Sequence, residues 1–494
     1  MFLGATSTSC HAPVTVLKSN FHIFASVTAL YQSMFAIMGH VFCAARRAIL
    51  LLLCVVAGSL SAWAQASTAI KAVSVHVGLD AQTQVGISWI SEAPLPSSLL
   101  QVFNPDATVF LEQRVVRAVP TGSEYAYSAR VTGLQPGTGY RYVVTGLSNS
   151  VEGRFQTASD DPRAPVRFIY IADPQPIDSF DGEALGSSFD YINQEPNIDF
   201  IYIAGDHTNR SDDPEQWGYL FHNRGCFPTA GAELFRKHVL VSTQGNHDDG
   251  QLAHRIAMPS ALGGGSEFKD GVYAVNAGVL RFIILNNASY NTQKLAENVD
   301  VQAQTQFLRE QVAAARSLGQ WVAVGFHKPL YSGASHLLDS DVVAYRKFWN
   351  PIFSELDVDF VLCGHDHIYS RGFVDSKGRN ASRQLAGTCI PTYRHVPGAP
   401  LHMVGGHPGG LTWYHAIRYV PSAFGRLAPD YAFLDKNSAH EPTAERDKLM
   451  QTYVVVELNP QKATFTVYKS KYDRKAHARS LPRHIYDQFV VLRD

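Results

Sequence analysis

The chain has 494 residues, of which 46% are apolar and 17% charged, a balance that excludes a disordered chain and a length that allows two or three domains with cores of their own. Its formal net charge is −1, so no field draws it to nucleic acid or to an anionic lipid surface.

The first segment reads as a processing signal. Arg46 and Arg47 precede a 13-residue apolar run, Ala48 to Leu60, followed by small residues at Ala62 and Ala64. A positive end, a short apolar core and an A-x-A site predict a secretory signal peptide. The core is too short for a membrane span. Residues 1–66 are therefore expected to be a leader, with Met34 and Met38 as alternative starts. The mature protein is expected in the periplasm or outside the cell, free of the membrane; an uncleaved anchor is the alternative. Cys10, Cys43 and Cys54 fall in this leader, leaving Cys226, Cys363 and Cys389. No C-x-x-C spacing exists, so no thiolate zinc site is expected and at most one disulfide.

Residues 69–158 read as all-β. "QVGISWIS" puts Val85, Ile87 and Trp89 on one face, and two strands flank the turn Gln135-Pro136-Gly137, which together predict a small sandwich. A polar, proline-bearing linker, Ala158 to Pro165, follows. The pattern then changes over residues 164–494. "VRFIYIAD", "DFIYIAGD", "HVLVSTQGNHD", "LRFIILNN", "QWVAVGFH" and "DFVLCGHDH" are apolar runs, each ending in polar residues. Helical stretches lie between several of them, one with Phe307, Leu308, Val312 and Leu318 on a face. Buried strands alternating with helices predict an α/β layered domain, with its site beyond the carboxyl ends of the strands. Thr388 to Asp447, rich in Gly, Pro and His, reads as long loops near that site.

The residues ending these runs are Asp173, Asp206, Asn246 with His247, His327, and His365 with His367. Carboxylate, amide and imidazole together suit Fe, Zn or Mn. They are too many for one tetrahedral ion and fit two ions sharing a carboxylate. Gly364 allows the tight turn that aims His365 and His367 apart.

"AD-x-Q", "GD", "GNHD", "GFH" and "GHDH" occur in this order, each after an apolar run. They resemble the five blocks of the calcineurin-like metallophosphoesterases. "GHDHIYSRG", the preceding sandwich and the closing "TYVVVELNPQKATFTVY" and "IYDQFVV" resemble the purple acid phosphatases. "GLQPGTGYRYVV" resembles the corner of a fibronectin type III module. The resemblance covers about Ala69 to Asp494. It implies a fibronectin III-like sandwich followed by a metallophosphoesterase domain layered α-β-β-α.

Carried over position by position, the resemblance puts Asp173 and His367 on a first metal, Asn246, His327 and His365 on a second, and Asp206 between them. Two positions depart from the purple pattern. Gln175 stands where that pattern has Gly and where other members have a His ligand; it either coordinates or hydrogen-bonds a metal-bound water. Asn209 stands where the purple enzymes carry a Tyr, which favours divalent ions. His207 is either a support behind the ligands or a loop residue. The resemblance further implies metal-activated hydroxide attacking phosphorus, with His247 on the phosphoryl group, Asp248 orienting it and His336 as proton donor. Arg371 is expected to pack or pair, and His395, His402, His407 and His415 crowd the late loops. The expected function is an exported, acid-phosphatase-like phosphomonoesterase acting on small phosphate esters. Alternatives are a phosphodiesterase on cyclic nucleotides or phospholipid head groups, and a non-catalytic surface binding protein.

Overall fold

The computed structural model describes residues 69–115, 119–121, 124–223, 225–249, 271–288, 292–409 and 450–493. The expected leader, His415 and the late-loop stretch 410–447 lie outside them.

The described residues begin with eight strands, β1 (Ile70–Val77), β2 (Val85–Ser91), β3 (Ser98–Phe103), β4 (Val109–Val115), β5 (Val119–Thr121), β6 (Glu124–Val131), β7 (Gly139–Thr145) and β8 (Ser150–Gln156). They form two antiparallel layers, β1-β2-β6-β5 and β4-β3-β7-β8. Alternation sets the interior, as the two-residue period of a strand requires. Val85, Ile87 and Trp89 face Leu100, Val102, Tyr140 and Tyr142 in one core, where Trp89 stacks on Tyr127 at 5.8 Å. The opposite face is buried too: Ala72, Ile90 and Ala126 pack with helices of the following domain.

The rest of the chain supplies β9 (Val166–Ile171), α1 (Ser179–Asn193), β10 (Phe200–Ile203), α2 (Pro214–Phe221), α3 (Ala230–Phe235), β11 (Val239–Ser242), β12 (Tyr273–Ala277), β13 (Leu280–Ile284), α4 (Val299–Ser317), β14 (Trp321–Gly325), α5 (Ser340–Glu355), β15 (Phe360–Cys363), β16 (Tyr369–Phe373), β17 (Thr392–Arg394), β18 (Leu401–Gly405), β19 (Met450–Leu458), β20 (Lys462–Asp473) and β21 (Ala478–Leu492). One sheet runs β17-β21-β20-β19-β9-β10-β11 and continues without a break into β1-β2-β6-β5; a second runs β12-β13-β14-β15-β18-β16. The junction is parallel pairing of β1 with β11, Val75 opposite Val239 and His76 opposite Leu240.

The expected α-β-β-α layering is present. Phe168, Tyr170, Phe200 and Tyr202 face Phe282, Trp321 and Leu362 across the two sheets. The alternate residues Ile169, Ile171, Ile201 and Ile203 turn outward onto α1, α2 and α3 through Leu185, Phe189, Trp217 and Leu234. On the far side, Ile283, Val322, Val324 and Val361 meet α4 and α5. The buried stripe of α4 is Val301, Gln304, Leu308, Val312 and Ala315. This shifts the expected face: Phe307 is half-buried, and Leu318, the C-cap, is 47% exposed. Cys363 is buried in β15, Cys226 and Cys389 are exposed, and all three are free thiols. No helix among the described residues is long and apolar enough to cross a membrane.

Candidate metal centre

β9, β10 and β11 run parallel, as do β13, β14, β15 and β18. The loops leaving β9, β10, β11, β14 and β15 therefore emerge at carboxyl ends, where open α/β sheets gather their sites. The backbone bends sharply there. Among nine described non-glycine residues with positive φ, four are Asp173 (47°), Gln175 (36°), Asp206 (52°) and His365 (69°). Each such conformation costs about 1–3 kcal/mol and persists where surrounding structure over-determines it. Two glycines allow the close approach. A Cβ on Gly364 would stand 2.6 Å from the Ala204 carbonyl and 2.8 Å from Asp173 Oδ2, and one on Gly205 would stand 2.6 Å from His327 Nδ1.

The side chains converge. His327 Nδ1 donates to the Ala204 carbonyl at 2.8 Å, which turns Nε2 toward the centre. Nε2 lies 3.0 Å from Asn246 Oδ1, 3.2 Å from Asp206 Oδ2 and 3.9 Å from Asp173 Oδ1. His367 Nε2 is 3.9 Å from the same Asp173 oxygen. Ligand atoms of Asp206, His327 and His365 all lie within 4.8 Å of one another. Asp173 accepts from the His365 amide at 2.9 Å, and Asp206 Oδ1 accepts from the His247 amide at 2.8 Å. Gln175 joins through its amide N–H to the Asp206 carbonyl at 3.2 Å.

Charge explains why this cluster suits cations. Burial pushes the Asp173 carboxyl well above its usual range; the His327 charge opposes that shift and the Asp206 charge adds to it. Burial disfavours a charged His327, yet Asp206 and Asp173 outweigh it and hold the imidazole up at about 9. Burial lowers His367 to about 4 and His365 further, the latter aided by the His327 and His336 charges. Those two rings are therefore neutral and have a lone pair to offer. Gln175 Oε1 is buried with no protein donor. Two carboxylates, two neutral imidazoles and an orphaned amide oxygen fit hard or borderline divalent ions.

The remaining candidates surround this cluster. The Asp248 carboxylate is fully buried and accepts from the amides of Asp206 (2.7 Å), His207 (3.0 Å) and Gly245 (2.8 Å) and from His207 Nδ1 at 3.0 Å. It ties the β10 loop to the β11 loop. The half-buried His247 is held by Nδ1 donation to the Asn209 carbonyl at 2.8 Å. His207 is enclosed between Asp248, Ser242 and the Trp217 ring. His336 lies on a short turn, Ser335–Leu338, its ring 4.2 Å from His365 and its Nδ1 2.6 Å from Asp339 Oδ2. Arg371 pairs with Asp487 at 2.7 Å. His395 pairs with Asp357, and His402 packs on Tyr331. His407 is buried 5.4 Å behind His367, a neighbour that the sequence places only vaguely among late-loop histidines.

The comparisons bear on this same stretch. Residues 166–369 match the family model described as calcineurin-like phosphoesterase. That span starts with β9 and ends just past His367, so it contains every residue of the cluster. Over that stretch the chain is similar to the calcineurin-like phosphoesterases. Uncharacterized proteins of two Mycobacterium tuberculosis strains are each 24% identical over 331 residues, covering 60% of this chain and 61% of the relative. The chain thus spans less than two thirds of those relatives. Among solved structures, a purple acid phosphatase from yellow lupin (Lupinus luteus) seeds aligns with TM-score 0.61 at 14% identity, covering 86% of this chain and 75% of that one. PhoD aligns with TM-score 0.59 at 11% identity, covering 85% and 90%. At such identities the likeness is one of fold.

Proposed function

We propose that the protein is a dinuclear-metal phosphoric ester hydrolase acting foremost on small phosphomonoesters. The observation that carries this reading is the donor set gathered at five strand ends around His327 Nε2, all inside the phosphoesterase match. Asp173, Gln175 and His367 would hold one ion, Asn246, His327 and His365 the other, with Asp206 between. Two carboxylates bring a formal charge of −2, which suits two divalent ions (Zn, Mn or ferrous Fe) better than a trivalent one. Bound there, such ions supply Lewis-acid charge for the phosphoryl oxygens and lower the pKa of water.

The chain's own residues supply the rest. With Nδ1 committed to the Asn209 carbonyl, His247 keeps Nε2 for the phosphoryl group. Asp248 acts one step back, fixing both ligand loops. His336, with Asp339 on Nδ1, presents Nε2 as the proton donor to the leaving-group oxygen. We further propose that residues 69–158 are a fibronectin III-like module, that 164–494 form the catalytic domain, and that the chain is exported after cleavage behind Ala64 or Ala66. The sandwich topology β1-β2-β6-β5 over β4-β3-β7-β8 supports the first point.

The test pairs p-nitrophenyl phosphate with bis-p-nitrophenyl phosphate, each with Mn²⁺, Zn²⁺ or Fe²⁺. Faster turnover of the monoester is expected. Faster turnover of the diester would make the protein a phosphodiesterase, and no turnover with any metal would leave a non-catalytic binding protein.

A further inference from the structure

Asn209 lies on the loop leaving β10, three positions past Asp206, and both of its oxygens are engaged inside the site. Its side-chain oxygen accepts from Gln175 Nε2 at 3.2 Å. Its main-chain oxygen accepts from His247 Nδ1 at 2.8 Å. The first bond decides which way the Gln175 amide faces. A primary amide has one donor end and one acceptor end, and only the oxygen end coordinates a cation. With Nε2 turned to Asn209, Oε1 is the end left over. That oxygen is buried without a protein donor, and Gln175 as a whole is 5% exposed. A buried amide oxygen shut away from both donors and water is costly, so a cation or a water held by one is its natural partner. The backbone agrees. Gln175 adopts φ 36° two residues after Asp173, and its N–H is tied to the Asp206 carbonyl at 3.2 Å.

We infer, on the two-metal reading above, that Asn209 is a positioning residue that locks the Gln175 amide with its oxygen toward the ion beside Asp173. Gln175 is then a neutral ligand of that ion, and Asn209 lies outside its coordination shell. One residue thereby sets both the amide of a ligand and the tautomer of His247.

Calorimetric titration of Mn²⁺ into the metal-stripped full chain tests this, with bound manganese counted per chain. Gln175→Ala is expected to weaken one of two sites by about 10–100-fold, the scale of lost ligands and their supports, and to spare the other. Asn209→Ala weakens the same site, and the double variant is no weaker than Gln175→Ala alone, because Asn209 acts only through Gln175. In a Gln175→Glu background both ends of the side chain are oxygens, so orientation no longer matters and Asn209→Ala leaves Mn²⁺ affinity within about twofold. That pair carries the test if an alanine variant folds poorly. Losses that add in the double variant, or that persist in the Gln175→Glu background, overturn the positioning role. Unchanged affinity in Gln175→Ala overturns the ligand. A wild-type chain that takes up fewer than two Mn²⁺ overturns the two-metal reading itself.

Discussion

Tyr170 and Tyr202 stand on the strands that carry the candidate ligands, yet their hydroxyls are committed to carbonyls between the sheets. Tyr170 donates to the Cys363 carbonyl, and Tyr202 donates to that of Leu362 at 3.0 Å. Burial pushes both phenols well above their ordinary range. Neither can offer a phenolate, and Asn209 has none to give. The iron-loaded protein should therefore show no strong visible charge-transfer band. A band between green and red that vanishes on mutating a Tyr would refute this. His336 allows a second test. Its loss should slow alkyl phosphates, whose leaving groups need a proton, more than p-nitrophenyl phosphate, by about 10²-fold or more. Equal losses on both would remove it as a donor. The candidate ligands could be read from the sequence because they cluster at the ends of apolar runs, with a glycine directly before Asp206, Asn246 and His365. Asp248 and His207 could be named as supports, but not the bonds they make. Three of the four bonds accepted by Asp248, those from Asp206 and His207, and the Gln175–Asn209 contact join residues far apart in the chain, and no local pattern encodes them.

At the scale of elements, periodicity gave the layers but not their joints. Alternation in β9 and β10 places Phe168 and Tyr202 inward and Ile169 and Ile203 outward, as an α-β-β-α stack demands. The linker Ala158–Pro165 reads as a domain boundary, but β1 pairs with β11 across more than 160 positions, and long-range pairing leaves no trace in composition. The phase of α4 slipped for a related reason: Gln304 is buried because its side-chain oxygen takes the Asn286 amide at 2.8 Å, so a polar residue occupies the inner face. The joined sheet has a consequence. Residues 69–158 cover one edge of β11, bury Ile90 and Ala126 against the helices, and reach Arg236 through Tyr142 and Arg154. Exposed strand edges pair with other chains. Residues 159–494 expressed alone should aggregate, and residues 67–494, one compact unit, should melt in a single calorimetric transition. Two resolved transitions, or a soluble folded fragment, would show that the sandwich is separable.

For the whole molecule, burial has fixed imidazoles away from the candidate metal centre in their neutral form. Burial lowers His76 to about 3. It lowers His402 to about 3, with the Arg346 charge adding, and His238 to about 4. In the unfolded chain each returns to its ordinary value of 6.5. Between 6.5 and the folded value the unfolded chain therefore holds more protons than the native one. Stability from these groups is complete above pH 6.5 and is lost as the pH falls. At about 1.4 kcal/mol per pH unit, His76 alone forfeits on the order of 4 kcal/mol by pH 3. A domain has only about 5–15 kcal/mol in total. Asp181 and Asp199, raised by burial, titrate in the opposite sense, but from a lower starting pKa. The melting temperature of the EDTA-treated protein should fall steadily as the pH drops from about 6.5 toward 4. His76 sits on β1 with Nε2 2.8 Å from Ser88 Oγ of β2, far enough in sequence and function from the ligands that His76→Asn isolates its share. That variant should show a flatter dependence of melting temperature on pH, whatever its stability at neutral pH. Contributions common to both proteins cancel in the difference of slopes, so identical slopes would exclude His76 as a source of the acid lability.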